Sequence, residues 1–161
     1  MPKATAIDQD YNLWVLLHQV GDIIFYAREA ELHEYNLPAT QADVLFVIKA
    51  IGDKVTPAQI SRMIFRQPHS VSGIIDRMAK AGLVKRTKDL HRKNLVRVVM
   101  TDKGEKAYKQ ALKKRKSVQK IMSSLSEAER QKLRSLLETL RNKGLKEIGI
   151  DPKKAPSPKF V

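Results

Sequence analysis

A chain of 161 residues, 42% of them hydrophobic, is long enough to bury one core. Having no cysteine, it holds no disulfide, thiolate metal site, thiol nucleophile or cysteine-based peroxide sensor. Its formal charge of +14 is segregated: residues 1–50 carry three basic and seven acidic groups, a net of −4, whereas residues 51–161 carry twenty-eight and ten, a net of +18. Such a field attracts polyanions, nucleic acid foremost, although a solvated basic face accounts for charge alone equally well.

The first periodic segment runs from about Asp8 to Tyr35 and sets Leu13, Leu16, Leu17, Val20, Ile23, Ile24 and Ala27 at the three-and-four spacing of a helix face. Trp14, Val15, Phe25 and Tyr26 widen the apolar surface beyond one stripe, which predicts burial on two sides, against the chain's own domain and against a second subunit. The longest apolar stretch, Leu13 to Tyr26, is broken by His18, Gln19 and Asp22 and is too short to span a bilayer. The N-terminus lacks a basic-then-apolar signal pattern, so the expectation is a soluble, cytoplasmic protein with no membrane partner.

Asn36-Leu37-Pro38 ends the first helix, because the residue before proline is pushed out of the helical region. Thr40 is expected to cap a second helix, Gln41 to about Ile51, which Gly52-Asp53 stops. Thr56-Pro57 opens a short third helix to Ile64, and Gln67-Pro68 opens a fourth from Pro68 to Lys80 that Gly82 closes. Residues 83–87 and 95–100 are β-branched and flank the charged segment Lys88 to Asn94, as in a hairpin.

Thr101 to Glu105 starts a further helix, continued through Ala107, Tyr108, Ala111 and Leu112 to Val118 and Ile121. Ser126 and Glu129 form a capping box for the last, with Leu133, Leu136, Leu137, Leu140 and Leu145 as its seam. Three prolines after Ile150 predict a flexible basic tail over 151–161. The fold class expected is mainly α: a winged helix-turn-helix lobe over 37–103 with a two-stranded β wing, and helical dimerisation segments over 8–35 and 104–148. In that layout the helix Pro68 to Lys80 enters the major groove of double-stranded DNA while the wing reaches the backbone or a neighbouring groove.

Five segments in order resemble the MarR (multiple antibiotic resistance regulator) family. They are Leu37-Pro-Ala-Thr40-Gln41 with Val44-Leu45; Thr56-Pro-Ala-Gln-Ile60-Ser61; Ser70 to Met78; Lys80-Ala-Gly82-Leu83-Val84-Lys85-Arg86; and Val98-Val-Met100-Thr101-Asp-Lys-Gly104. The resemblance spans about residues 10–145 and implies a homodimeric transcriptional regulator, with the terminal helices forming the dimer. The wing departs from the family's Asp-Arg-Arg pattern, reading Asp89-Leu90-His91-Arg92-Lys93. The role of a wing-tip arginine in the minor groove is carried to Arg92, with Asp89 as its orienting partner and His91 or Lys93 able to share it.

On the recognition helix, Ser70, Ser72 and Gly73 are expected in close groove contact, because small residues permit approach and hydroxyls donate to bases or phosphates. Arg66, Gln67 and His69 flank its start, and Arg77 serves a phosphate, a base or an internal carboxylate. The bland reading of all these side chains is the solvent face of a surface helix. The basic run Lys103, Lys106, Lys109, Lys113, Lys114, Arg115 and Lys116 is read as a solvated face rather than as contacts.

The resemblance also implies a small aromatic or phenolic effector, held between the dimer helices and the winged lobe. Tyr11, Trp14, His18, Phe25 and Tyr26 could line such a pocket, and core or dimer packing explains the same aromatics equally well. No catalytic, cofactor or metal motif is present; His18 and His33 lie too far apart on one helix to be ligands on adjacent turns. The functional expectation is a sequence-specific regulator, a repressor of a pseudo-palindromic operator. Its competitor is a sequence-tolerant architectural DNA-binding protein, favoured by the +14 charge and the basic tail.

Overall fold

A computed structural model of the chain describes residues 6–89 and 91–155. The elements are α1 (Ala6–His33), α2 (Ala39–Ile51), α3 (Pro57–Ile64), α4 (Pro68–Lys80), β1 (Val84–Lys88), β2 (Val96–Met100), α5 (Asp102–Lys113), α6 (Lys116–Met122) and α7 (Glu127–Glu147), followed by a 3₁₀ turn, Pro152–Lys154. The two strands pair antiparallel from Val84 opposite Met100 to Lys88 opposite Val96. Val98 also donates its N–H to the Val55 carbonyl at 3.0 Å, tying the wing to the α2–α3 connection.

The core lies under the winged lobe. Helix α2 is buried along most of its length through Val44, Leu45, Val47 and Ile48, and meets Ile60 of α3, Val71, Ile75 and Met78 of α4, Val98 of β2 and Tyr108 of α5. Each fully buried aliphatic side chain stabilises the lobe by about 2 kcal/mol relative to exposure. From α1 only the C-terminal end, at Leu32, enters this cluster, with Phe25 packed at its edge. Further along α1, Leu13, Trp14, Leu16, Val20 and Ile23 stand exposed, as do Leu136, Leu137 and Leu140 of α7. Together these side chains leave large apolar surface open on both helices.

Three expectations need correction. Thr40 does not cap α2, which begins at Ala39; the Glu29 carboxylate on α1 accepts the Ala39 N–H at 2.6 Å and fills the capping role from a distance. The helix expected from Thr101 through Ile121 breaks into α5 and α6 at Lys114–Arg115. Arg28 of α1 donates to the carbonyls of Ala111, at 2.6 Å, and Lys114, closing α5, while Glu31 accepts the Ser117 N–H at 3.2 Å and opens α6. Residues 151–155, expected to begin a flexible tail, form the 3₁₀ turn: Asp151 caps it, Ala155 is buried, and Arg141 of α7 donates to the Ala155 carbonyl at 2.6 Å. The rest of that tail, 156–161, lies outside the described residues.

Candidate nucleic-acid interface

The turn between α3 and α4 is built by three local devices. Thr56 and Gln59 form a capping box that starts α3, ahead of Pro57. Phe65 ends α3 in the left-handed region, at φ 52 and ψ 45, a conformation that costs a non-glycine residue about 1 kcal/mol. It is held there by Ser61, whose carbonyl accepts the Arg66 N–H at 3.2 Å and whose buried hydroxyl donates to the Arg66 carbonyl at 2.6 Å. Sequence reading assigned Ser61 no role; a serine in a helix whose hydroxyl can reach forward to the turn is the signal that was available.

Pro68 then fixes the first residue of α4 after an extended Gln67. Val71, Ile74, Ile75 and Met78 face the core, which leaves Arg66, Gln67 and His69 exposed at the helix entrance and Ser70, Ser72 and Gly73 half-buried beside it. Arg77 is exposed and folds back along the helix, its Nη1 standing 3.5 Å from where a Cβ on Gly73 would be. At the other end α4 closes in a Schellman arrangement around Gly82, at φ 76: Leu83 N–H donates to the Met78 carbonyl at 2.9 Å and Gly82 N–H to that of Ala79 at 3.0 Å.

Arg86 on β1, to which sequence reading gave no role, clasps the recognition helix. Its Nη2 donates to the Asp76 carboxylate at 2.7 Å and reaches the Ser72 hydroxyl at 3.3 Å. The Ser72 hydroxyl, expected to face DNA, is therefore already engaged by the wing.

The wing tip is organised by Asp89, though not as a side-chain partner of Arg92. The carboxylate accepts the backbone N–H groups of His91 at 2.8 Å and Arg92 at 3.0 Å, and the Arg97 guanidinium donates to it at 2.9 Å. Arg97 also donates to the Lys54 carbonyl. These bonds, the His91 N–H first, hold the Asp89 carboxyl below the usual carboxylate range. Asp89 thus fixes the main chain from which Arg92 and Lys93 project, both exposed. Because the carboxyl titrates below its ordinary value, the tip stays braced down to the usual carboxylate range and loosens only as pH falls through that depressed value; amide exchange at His91 and Arg92 that instead rose between pH 7 and pH 5 would contradict the assignment.

The aromatic residues of α1 separate into two sets. Tyr11 and Trp14 have ring centroids 5.5 Å apart and Trp14 and His18 5.9 Å, a ladder along the exposed face. Phe25 lies two turns further on, against the core of the lobe, and its neighbour Tyr26 points outward.

The described architecture defines a winged helix-turn-helix protein with helical extensions at both ends. A family profile described as MarR family matches residues 35–93. The organohalide-sensing transcriptional regulator RdhR-CbdbA1625, in its 2,4-dichlorophenol-bound form, is 30% identical at a TM-score of 0.84, the match covering 100% of this chain and 98% of that one. The chain belongs to the MarR family of transcriptional regulators.

A cysteine-to-serine variant of MarR from E. coli, complexed with operator DNA, shares the fold at 21% identity and a TM-score of 0.77, covering 85% of this chain and 99% of that one. CouR from Rhodococcus jostii RHA1, bound to p-coumaroyl-CoA, does so at 19% and 0.73, covering 85% and 95%. No curated protein sequence matches the chain. Among the described residues no helix is long and apolar enough to cross a membrane.

Proposed function

We propose that the chain is a sequence-specific DNA-binding repressor that works in the cytoplasm as a homodimer on a pseudo-palindromic operator. The observation that carries this reading is the pairing of an accessible recognition-helix entrance, at Arg66, Gln67, His69 and Ser70, with a braced wing tip that projects Arg92 and Lys93. Small side chains at Ser70, Ser72 and Gly73 let α4 approach base edges, Arg77 meets the backbone, and Arg92 enters the minor groove. The operator complex of the E. coli relative, which has the same fold, supports the assignment. In a dimer the two α4 helices read major grooves about 34–36 Å apart, and a dimer lying on a promoter blocks polymerase sterically.

An Arg92→Ala variant is expected to lose about tenfold in DNA affinity with unchanged melting temperature, since one minor-groove guanidinium accounts for about 1–3 kcal/mol. Unchanged affinity in a salt-matched titration removes Arg92 from the interface.

The dimer rests on the exposed apolar faces of α1 and α7. Leu140→Glu, which sets a charge in that surface, is expected to shift the protein from dimer to monomer at micromolar concentration in sedimentation velocity. An unaltered dimer excludes this face of α7 from the interface.

An effector is the natural input. RdhR-CbdbA1625 has been crystallised with 2,4-dichlorophenol and CouR with p-coumaroyl-CoA. For this chain we assign a small aromatic effector to the α1 aromatics, Tyr11, Trp14 and His18 along the exposed face with Phe25 and Tyr26 two turns further on. The competing architectural reading predicts equal affinity for every duplex, governed by salt alone.

A further inference from the structure

An α-helix with its side chains is about 10–12 Å across and the major groove of B-DNA about 12 Å wide, so a recognition helix fills the groove that it enters. Cations that flank the entrance of such a helix without belonging to it stand over the phosphate strand at the groove edge. Beside the entrance of α4 lies a cleft lined on one side by Arg62, Arg66 and Gln67 and on the other by Ile150, Asp151 and Lys154. Arg66 and Gln67 are part of that entrance; Arg62 comes from α3, and Lys154 from the 3₁₀ turn at the C-terminal end of the described chain.

The segment that carries Lys154 is fixed before any partner arrives. Helix α7 closes around Gly149, at φ 75: the Gly149 N–H donates to the Lys146 carbonyl at 3.0 Å and the Ile150 N–H to that of Leu145 at 2.8 Å. Asp151 then caps the 3₁₀ turn by accepting the Lys153 N–H at 3.0 Å. Arg141 of α7 donates to the Ala155 carbonyl at 2.6 Å and sets its guanidinium 5.6 Å from the Phe65 ring centroid, fastening the segment to the α3–α4 turn. A lysine on backbone already ordered costs little further entropy to engage.

The two outer cations of the cleft also lack a local partner. Arg62 and Lys154 are exposed, and among the described residues neither makes an ion pair. By contrast Lys49 meets Glu105 at 2.8 Å and Lys103 donates to the Ala81 carbonyl at 2.7 Å, so those charges are engaged within the fold. Arg62, Arg66 and Lys154 against Asp151 leave the cleft lining a net of +2, and the Asp151 carboxylate is taken up by its cap. An arginine fork and a lysine point charge on opposite banks of one cleft suit a phosphate diester approached from two sides.

We infer that Arg62 and Lys154, together with Arg66, grip the DNA backbone beside the recognition helix, which makes the C-terminal segment part of the DNA-binding surface. This rests on the DNA-binding reading of α4 and adds to it a phosphate clamp that carries no sequence information.

The test is titration of the full chain with its own upstream fragment and with a scrambled duplex of equal composition, from about 0.05 to about 0.2 M salt. Each neutralised phosphate contributes about 0.9 to the slope of log affinity against log salt. Arg62→Gln and Lys154→Gln should therefore each lower that slope by about 0.9 and weaken binding about fivefold at about 0.15 M salt, on both duplexes alike and with unchanged melting temperature. Lys154→Arg, which keeps the charge, should keep the slope. Lys106→Gln combined with Lys113→Gln removes two exposed charges from α5 and should also leave it unchanged. The clamp is refuted if both single variants keep the wild-type slope, or if the α5 pair loses as much per charge, since the effect is then the general field of the protein. A loss in Arg62→Gln alone removes the C-terminal segment from the surface, and a loss in Lys154→Gln alone removes α3. If the two duplexes bind the wild type equally, sequence-specific recognition fails while the slopes still judge the clamp; a chain that binds neither duplex refutes both.

Discussion

An Arg28→Met substitution is expected to destabilise the fold by about 3 kcal/mol, because it breaks a largely buried ion pair and leaves two helix-end carbonyls without their donor. Arg28 and Glu31 are only 15% and 12% exposed, and their side chains meet at 3.0 Å. The same guanidinium donates to the carbonyls of Ala111 and Lys114, while Glu31 holds the Ser117 N–H. One turn of α1 therefore terminates α5 and starts α6, and the neighbouring Glu29 starts α2. Methionine keeps much of the volume and loses every donor, so packing and bonding are separated. Urea unfolding at fixed protein concentration reads the loss, and Arg28→Met in a Glu31→Gln background should cost less, since no charge is then orphaned. A loss below about 1 kcal/mol in the wild-type background would mean that solvent replaces the clamp.

The second large effect is expected at Gly104, where an added methyl has no space. A Cβ there would fall inside the van der Waals radius of the Leu83 carbonyl oxygen and 2.7 Å from Met100 Cγ. The Leu83 oxygen cannot retreat cheaply, since it accepts the Thr101 N–H at 3.0 Å, and Thr101 in turn caps α5 through the Gly104 N–H at 3.1 Å. Gly104→Ala is therefore expected to cost about 3 kcal/mol, against the roughly 1 kcal/mol gain that alanine brings to an unobstructed helix. A thermal melt at or above the wild-type midpoint would show that the wing and α5 can separate without loss. Gly104 belongs to the Thr101-Asp-Lys-Gly segment that carried the family resemblance, and close packing of α5 on the wing is a physical reason for a glycine there.

What was legible in the sequence was local. Gln67-Pro68 and Gly82 bound the recognition helix at Pro68 and Lys80, because a proline at the first helical position and a glycine at positive φ act on their own residues. The Thr56 cap before Pro57 and the capping box at Ser126 are local for the same reason. The start of α2 and the break between α5 and α6 were not legible, since both are made by α1 side chains, in the case of Arg28 and Lys114 across 86 positions. Proline content misread 151–155, where Arg141 and the buried Ala155 supply the order that composition lacks. At the wing, Asp89 stands near the tip, but its guanidinium partner came from the opposite strand, from Arg97, which pairs with Thr87. Arg86, which touches two recognition-helix residues, stood inside a recognised segment and showed no sign of its role until the wing folded over α4.

Specific recognition of DNA by a dimer is decided by titrating the purified protein against its own upstream region and a scrambled duplex of equal composition across a salt series. The upstream fragment is expected to bind at least about a thousandfold more tightly at physiological salt, with footprinting that protects an inverted repeat. Equal affinity for the two duplexes, falling together as salt rises, would contradict it and make the chain an architectural DNA-binding protein.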